Sequence, residues 1–114
     1  MKTIERASIP PEKSRALKTL KNRLSGKFGI EEIILFGSVA RGEADGESDC
    51  DLLFITGQPV NRFERHKITD EVFEINLLYD MNFSSLVVDR ASWEDGPVSV
   101  LAIHDEIRGD GIVL

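Results

Sequence analysis

The 114-residue chain is long enough for one folded domain and too short for two. Its 41% apolar and 30% charged residues are ordinary for a globular protein and exclude a disordered or fibrous class. The single cysteine excludes an intrachain disulfide framework and a cysteine-rich zinc site, so the cytoplasm is the expected compartment. No apolar run reaches the roughly 18 residues of a membrane span, and the start of the chain lacks the apolar stretch of a signal peptide. We therefore expect neither secretion nor a membrane partner.

The net charge of −6 is unevenly distributed along the chain. Residues 1–28 hold eight basic and two acidic side chains, whereas residues 29–114 hold six basic and eighteen acidic ones. A body this acidic repels phosphate backbones, which argues against bulk DNA binding. The basic first segment leaves contact with RNA or an acidic partner open, although a solvated helix face explains the same lysines.

The first part of the chain predicts a lead-in, a helix and a strand. Residues 1–10 end in prolines that fix the backbone where a helix can begin, so we expect the single domain to span residues 11–114. In residues 11–28, apolar side chains recur at helical spacing, namely at Leu17, Leu20, Leu24 and Phe28. The predicted helix stops near Gly26 or Gly29. The short apolar run 33–36 predicts a buried strand, and the glycine-rich stretch 37–48 predicts a loop.

The second half predicts a strand, a helix, a strand and a last helix. Residues 49–55 form the second predicted strand. Asn61 with Glu64 is typical of a capping box, which starts a helix running to Tyr79. Residues 83–88 predict a third strand, and Ser92 together with Asp95 indicates the start of a helix that has Pro97 in its first turn and ends at one of two glycines. The two alternatives for the end of this helix are Gly109 and Gly111. Residues 112–114 then form a short edge strand or a tail.

The element order favours an α+β or mixed α/β fold, a small mixed sheet flanked by helices. The loop 37–48 is at the lower limit for a parallel crossover, which needs a dozen or more residues and usually a full helix. The first two strands are therefore expected to be antiparallel.

One constellation carries chemistry. Asp49 and Asp51 alternate along a strand and project from the same face, while Cys50 turns the other way. Two adjacent carboxylates repel each other unless a cation lies between them, and Mg²⁺ is commonly bound by such carboxylates together with substrate phosphates. The Gly37-Ser38 pair that ends the preceding strand offers close backbone approach and hydrogen-bond donors to phosphate.

Arg41 lies one helical turn beyond the Gly37-Ser38 pair. Its guanidinium could add a charge-assisted contact to a bound phosphate, or it could pair with the neighbouring Glu43 or Glu47.

The pattern Gly-Ser, ten residues, then Asp-x-Asp on an apolar strand resembles the polymerase-β-type nucleotidyltransferases. The fuller string 37–53 is similar to the minimal nucleotidyltransferases, small prokaryotic proteins often encoded beside a HEPN-domain partner. The resemblance implies transfer of a nucleoside monophosphate, with AMP from ATP the expected case, onto a hydroxyl acceptor such as a HEPN toxin. It implies that Gly37-Ser38 holds the triphosphate and that Asp49 and Asp51 are the catalytic carboxylates that bind Mg²⁺.

The sequence departs from the family pattern in the third predicted strand. The resemblance implies a third carboxylate there, but Ser84 or Ser85 occupies the expected position. Asp89 at the far end of the strand is therefore predicted as the third metal ligand. Asp80, in the turn before the strand, is another nearby acid. The departure also predicts an alternative function, a catalytically impaired nucleotide-binding module or antitoxin that acts by docking on a partner protein.

Overall fold

The computed structural model describes residues 2–4, 9–37, 40 and 50–114. In chain order the helices and strands are β1 (Lys2–Thr3), α1 (Pro11–Leu24), β2 (Ile30–Phe36), β3 (Cys50–Thr56), α2 (Arg62–Tyr79), β4 (Phe83–Asp89), α3 (Arg90–Glu94), a 3₁₀ helix (Pro97–Val100), α4 (Ala102–Asp110) and β5 (Ile112–Val113). Across the described ranges, no helix is both long enough and apolar enough to cross a bilayer.

The strands form one mixed sheet in the order β1-β5-β2-β3-β4. β2 and β3 are antiparallel, as the short connecting loop predicts. β3 and β4 are parallel neighbours, and α2 provides the crossover between them. The mixed α/β prediction is confirmed.

The core has two parts because side chains alternate between the faces of the sheet. α1 and α2 cover one face, where Leu20 and Ile75 pack with Leu35 and Phe54 of the central strands. The opposite face is covered by Trp93 of α3 and Ile107 of α4, together with partners from alternate strand positions such as Leu53. β3 is buried on both faces and lies between β2 and β4 in the sheet.

The first helix has the predicted start and one of its two predicted ends. α1 begins at Pro11 and ends at Leu24, close to Gly26. Gly26, Phe28 and Gly29 all have positive φ angles, which are incompatible with a continuing right-handed helix. Phe28 nevertheless packs against the core from outside the helix.

β2 begins at Ile30, three residues before the predicted start. Two glutamates near the start of β2 interrupt the apolar pattern from which the strand was predicted. Both form ion pairs with Arg90, whose guanidinium lies 3.0 Å from Glu31 and 3.3 Å from Glu32. Burial lowers the pKa of Arg90, but the hydrogen bond to Glu31 and the charge of Glu32 outweigh it, so the pKa is raised overall. The ion pairs make a charged stretch compatible with a strand.

The end of the chain differs most from the prediction. In place of the one helix whose start Ser92 and Asp95 indicated, the structure has α3, the 3₁₀ helix and α4 in succession. Asp89 is the N-cap of α3, and Pro97 opens the 3₁₀ helix because it lacks the N–H needed to continue α3. α4 ends before Gly111, which was one of the two predicted ends.

The terminal segments also correct the sequence-based expectations. β5 is neither an edge strand nor a tail, since it lies between β1 and β2 in the sheet. β1 forms within the predicted loose lead-in and pairs in parallel with β5. The two chain ends therefore meet in the sheet.

Candidate functional site

Three strands bring their site residues to one end of the sheet. Phe36, the last residue of β2, is paired with Asp51 near the start of β3, so Gly37 follows directly beside that carboxylate. Asp51 is also paired with Ser84, the second residue of β4. The same register confirms that Cys50 points to the opposite face, where it is buried in the core with Leu52.

Gly37 lies in direct contact with the Asp51 carboxylate. Its φ angle of +86° is in the region that disfavours side chains, and a Cβ there would be 2.5 Å from Oδ2 of Asp51. Glycine is therefore required for two separate reasons, the backbone conformation and the space. The contact joins one half of the predicted Gly-Ser turn to one half of the predicted Asp-x-Asp pair.

Ser84 holds the other oxygen of the same carboxylate. Its hydroxyl donates a 2.7 Å hydrogen bond to Oδ1 of Asp51, and the Asp51 side chain is half-buried. Hydrogen bonds to an ionised acceptor are stronger than those between neutral groups. The Asp51 carboxylate is thus oriented by Ser84 on one side and by Gly37 on the other.

The start of β4 is fixed by an amide clamp that the sequence analysis missed. Asn76 of α2 donates from Nδ2 to the Phe83 carbonyl at 3.0 Å, and its Oδ1 accepts from the Phe83 N–H at 2.8 Å. The Cys50 N–H donates to the carbonyl of Asn82 at 3.1 Å, which ties the starts of β3 and β4 together. The available signal was an asparagine beside the apolar stripe of α2, one turn before the chain reverses.

Ser38, Arg41 and Asp49 lie outside the described residues, so their proposed roles stay predictions. Among the residues that are described, no group of three or more His, Cys, Asp or Glu side chains forms a metal-binding cluster. The described part of the site is therefore Gly37, Asp51 and Ser84.

Asp89 lies at the wrong end of the sheet to assist Asp51. It is paired with Thr56, and five residues of strand separate Thr56 from Asp51, about 17 Å at 3.3 Å per residue. Its carboxylate accepts from the Ser92 N–H at 3.0 Å and from the Ser92 hydroxyl at 2.8 Å, which lowers the pKa of Asp89. The expectation that Asp89 is a third ligand beside Asp51 is not supported, because Asp89 caps α3.

Asp80, the other acid named near this strand, ends α2. It has a left-handed conformation with φ 54°, and its N–H donates to the carbonyl of Asn76. Its side chain is exposed in the turn that leads to β4. Its described role is therefore helix termination.

Comparison with known proteins places this arrangement in context. A family model described as a nucleotidyltransferase domain matches residues 17–94, more than half of the chain. Two curated proteins of Methanocaldococcus jannaschii, both described as candidate protein adenylyltransferases, are 46% identical over 67 residues and 36% identical over 64 residues. The matches cover 55% and 56% of this chain but 46% and 65% of the relatives. The chain thus spans from about half to under two thirds of those relatives.

Solved structures share the fold at low sequence identity. A toxin–antitoxin complex with AMP-PNP contains a chain with a TM-score of 0.56 and 16% identity, covering 90% of this chain and 70% of its own. A candidate nucleotidyltransferase from Sulfolobus solfataricus has a TM-score of 0.54 and 22% identity, covering 87% and 76%. These likenesses show a common architecture.

Proposed function

We propose that this chain, which belongs to the nucleotidyltransferase domain family, transfers AMP from ATP to a hydroxyl group of an acceptor protein. The family membership inferred from the Gly-Ser and Asp-x-Asp motifs is confirmed by the match to residues 17–94. The observation that carries the proposal is the contact between Gly37 and Asp51, since it joins the phosphate-binding and carboxylate halves of the motif. The two curated relatives support protein as the acceptor class.

The residues at the site fit a divalent cation. Asp51 offers a half-buried carboxylate that accepts a hydrogen bond from Ser84, and the lack of a side chain at Gly37 leaves the space that this carboxylate occupies. Asp49 and Asp51 would hold Mg²⁺, because carboxylate oxygens are its preferred protein ligands. When bound, Mg²⁺ would neutralise charge on the triphosphate and on the leaving pyrophosphate.

The chain's own residues would then position the reactants. The backbone at Gly37 and the hydroxyl of Ser38 would hold the outer phosphates, and Arg41 would add a charge-assisted contact. The acceptor oxygen forms a bond to the α-phosphorus, the bond from that phosphorus to the bridging oxygen breaks, and pyrophosphate leaves. The acceptor proton passes to solvent, because Ser84 stands beside Asp51 where the family resemblance implies a third carboxylate.

A HEPN-domain protein encoded nearby is the acceptor that we propose to test first. The structural neighbour with AMP-PNP is a toxin–antitoxin complex, and the sequence motif is similar to that of antitoxins paired with HEPN toxins.

A second function is favoured by the Ser84–Asp51 hydrogen bond. A serine supplies no negative charge for a second metal position and cannot serve as the carboxylate base that the family resemblance implies. The chain would then bind Mg²⁺-ATP and dock on its partner without transferring AMP. Binding without turnover distinguishes this function from the first.

Transfer of label from α-³²P-ATP tests both proposals. The wild-type protein, Asp49→Asn and Asp51→Asn would be incubated with Mg²⁺ and the purified partner, with Asp105→Asn as the control because Asp105 is 88% exposed on α4. We expect label on the partner with the wild type and the control, and at least tenfold less with either site variant. Equal transfer by Asp51→Asn would overturn the proposed mechanism. Calorimetric binding of ATP without any label transfer would favour the second function.

A further inference from the structure

The outer face of α2 carries large apolar side chains that nothing in the described chain covers. Phe63, Phe73, Leu77 and Leu78 are between 60% and 70% exposed. Phe63, Phe73 and Leu77 lie on the side opposite the buried stripe of Ile68, Val72 and Ile75 that packs on the sheet, and Leu78 flanks them. Exposed apolar groups concentrated on one helix are typical of an interaction surface.

Charges on this outer face change sign halfway along the helix. The first third of α2 has the exposed basic residues Arg62, Arg65 and Lys67, of which Arg65 lies nearer the buried stripe, whereas the acidic Asp70 and Glu74 follow from the middle of the helix onward. The Lys67 ammonium lies 4.7 Å from the centre of the Phe63 ring, and Glu74 pairs with Arg23 of α1 at 2.9 Å. None of the three basic side chains forms an ion pair with another residue in the described ranges.

We propose that the outer face of α2 docks on the same face of a second copy of this chain, with the two helices antiparallel. This inference does not depend on the proposed function. Antiparallel packing brings the basic first third of one helix against the acidic second half of the other. A single change of sign along one helix is self-complementary only in this orientation.

The positions of the apolar residues agree with the same arrangement. Two identical antiparallel helices are related by a two-fold axis, and we place Asp70 nearest to that axis. Residue numbers then increase in opposite directions along the two helices from that point. Phe63 of one copy then faces Leu77 of the other. Lys67 of one copy lies on the same flank of the helix pair as Glu74 of the other, and within one turn of the partner helix's Asp70. The two Asp70 carboxylates are thereby each accompanied by a lysine.

Sedimentation measurements test the association. Because one 18-residue helix pair makes a small interface, we expect a concentration-dependent dimer with micromolar affinity. Leu77→Glu should weaken dimerisation at least tenfold, since it places a charge opposite Phe63. Val100→Glu is the matched control, because Val100 is 83% exposed but lies outside α2. Circular dichroism should show that both variants remain folded.

A disulfide at the axis tests the orientation directly. With Asp70→Cys, oxidation should give a covalent dimer that retains the native fold, whereas Asp105→Cys, on exposed α4, should not. Cys50 is buried, so it does not compete. A protein that is monomeric at all concentrations, or equal cross-linking by the two variants, would overturn the inference. A wild-type protein that is monomeric, together with a Leu77→Glu variant that no longer binds the HEPN-domain protein, would assign the outer face of α2 to that partner. This result would also overturn the proposed dimer.

Discussion

The hydroxyl of Ser84 donates a 2.7 Å hydrogen bond to Oδ1 of Asp51 across the parallel pair of β3 and β4. The oxygen that remains, Oδ2, lies against Gly37. One carboxylate is therefore held by a hydrogen bond from β4 and fills the space beside the residue that follows β2. Its orientation is a property of the sheet rather than of the loop 37–49 alone.

Replacing Ser84 with alanine should reduce function more than stability. A hydrogen bond to an ionised group contributes about 1.5 kcal/mol, so we expect AMP transfer or ATP affinity to fall about tenfold. The free energy of unfolding should change by about 0.5 kcal/mol or less, because Ser84 is exposed. The control is Ser85→Ala, which alters the adjacent residue on the opposite face. Equal losses in the two variants would show that Asp51 does not depend on Ser84.

Replacing Ser84 with aspartate should make the protein depend more strongly on Mg²⁺. The new carboxylate would stand beside Asp51, and two adjacent negative charges destabilise the fold unless a cation neutralises them. We expect the melting temperature without metal to fall below that of the wild type and to rise more steeply on Mg²⁺ addition. Thermal unfolding across a magnesium titration measures this difference. An identical magnesium response in wild type and variant would argue against a metal at Asp51.

Gly37→Ala should remove nucleotide binding through both strain and steric conflict. The positive φ costs about 1 kcal/mol for a residue with a side chain, and the added Cβ would displace the Asp51 carboxylate. Gly26→Ala is a matched control, because its φ is +75° and a Cβ there would meet nothing within 4 Å. Both variants should lose similar stability in chemical denaturation, but only Gly37→Ala should lose ATP affinity, by at least tenfold. ATP affinity that falls equally in both would disprove the role of the close contact.

Part of this site follows from the sequence alone. The short loop between two apolar runs forces antiparallel pairing, and this brings the residue after the first strand next to the start of the second. The contact between Gly37 and Asp51 is a direct consequence. The Asn61–Glu64 capping box was equally predictable, because every group involved lies within one helical turn.

The register of β4 could not be obtained in the same way. An 18-residue helix separates β4 from β3, so no local turn fixes which residue faces Asp51. A shift of one residue would have placed Ser85 there, and only the packing of α2 and the Asn76 clamp decide in favour of Ser84. β1 and β5 have two residues each, too few to show any periodicity, and they pair across almost the whole length of the chain.

Removing the Asn76 amide should therefore affect both the fold and the site. Asn76→Ala leaves the N–H and carbonyl of the buried Phe83 without side-chain partners, at an expected cost of about 1–3 kcal/mol in the free energy of unfolding. Ser84 follows Phe83 directly and orients Asp51, so AMP transfer or ATP affinity should also decline. This should be measured at a temperature where the variant is folded. Asn22→Ala, at an exposed position on α1, should alter neither quantity. A stability loss without any functional change would separate the clamp from the orientation of Asp51.

Acid should remove the stabilising contribution of Asp89. The backbone N–H and the hydroxyl of Ser92 favour the ionised carboxylate and lower its pKa in the folded protein below the ordinary 3.8. The contribution is complete above pH 3.8 and is lost as pH falls through the lower folded pKa, since protonation then costs more in the folded state.

Asn at position 89 keeps a capping oxygen but cannot ionise, so it isolates this effect. Relative to Asp89→Asn, the wild type should keep a constant stability difference near neutral pH. That difference should shift in favour of the variant as pH falls below 3.8. Ser92→Ala removes only the hydroxyl donor and should reduce the shift without abolishing it. Urea denaturation at several pH values measures all three proteins, and a difference that does not change with pH would contradict the capping role.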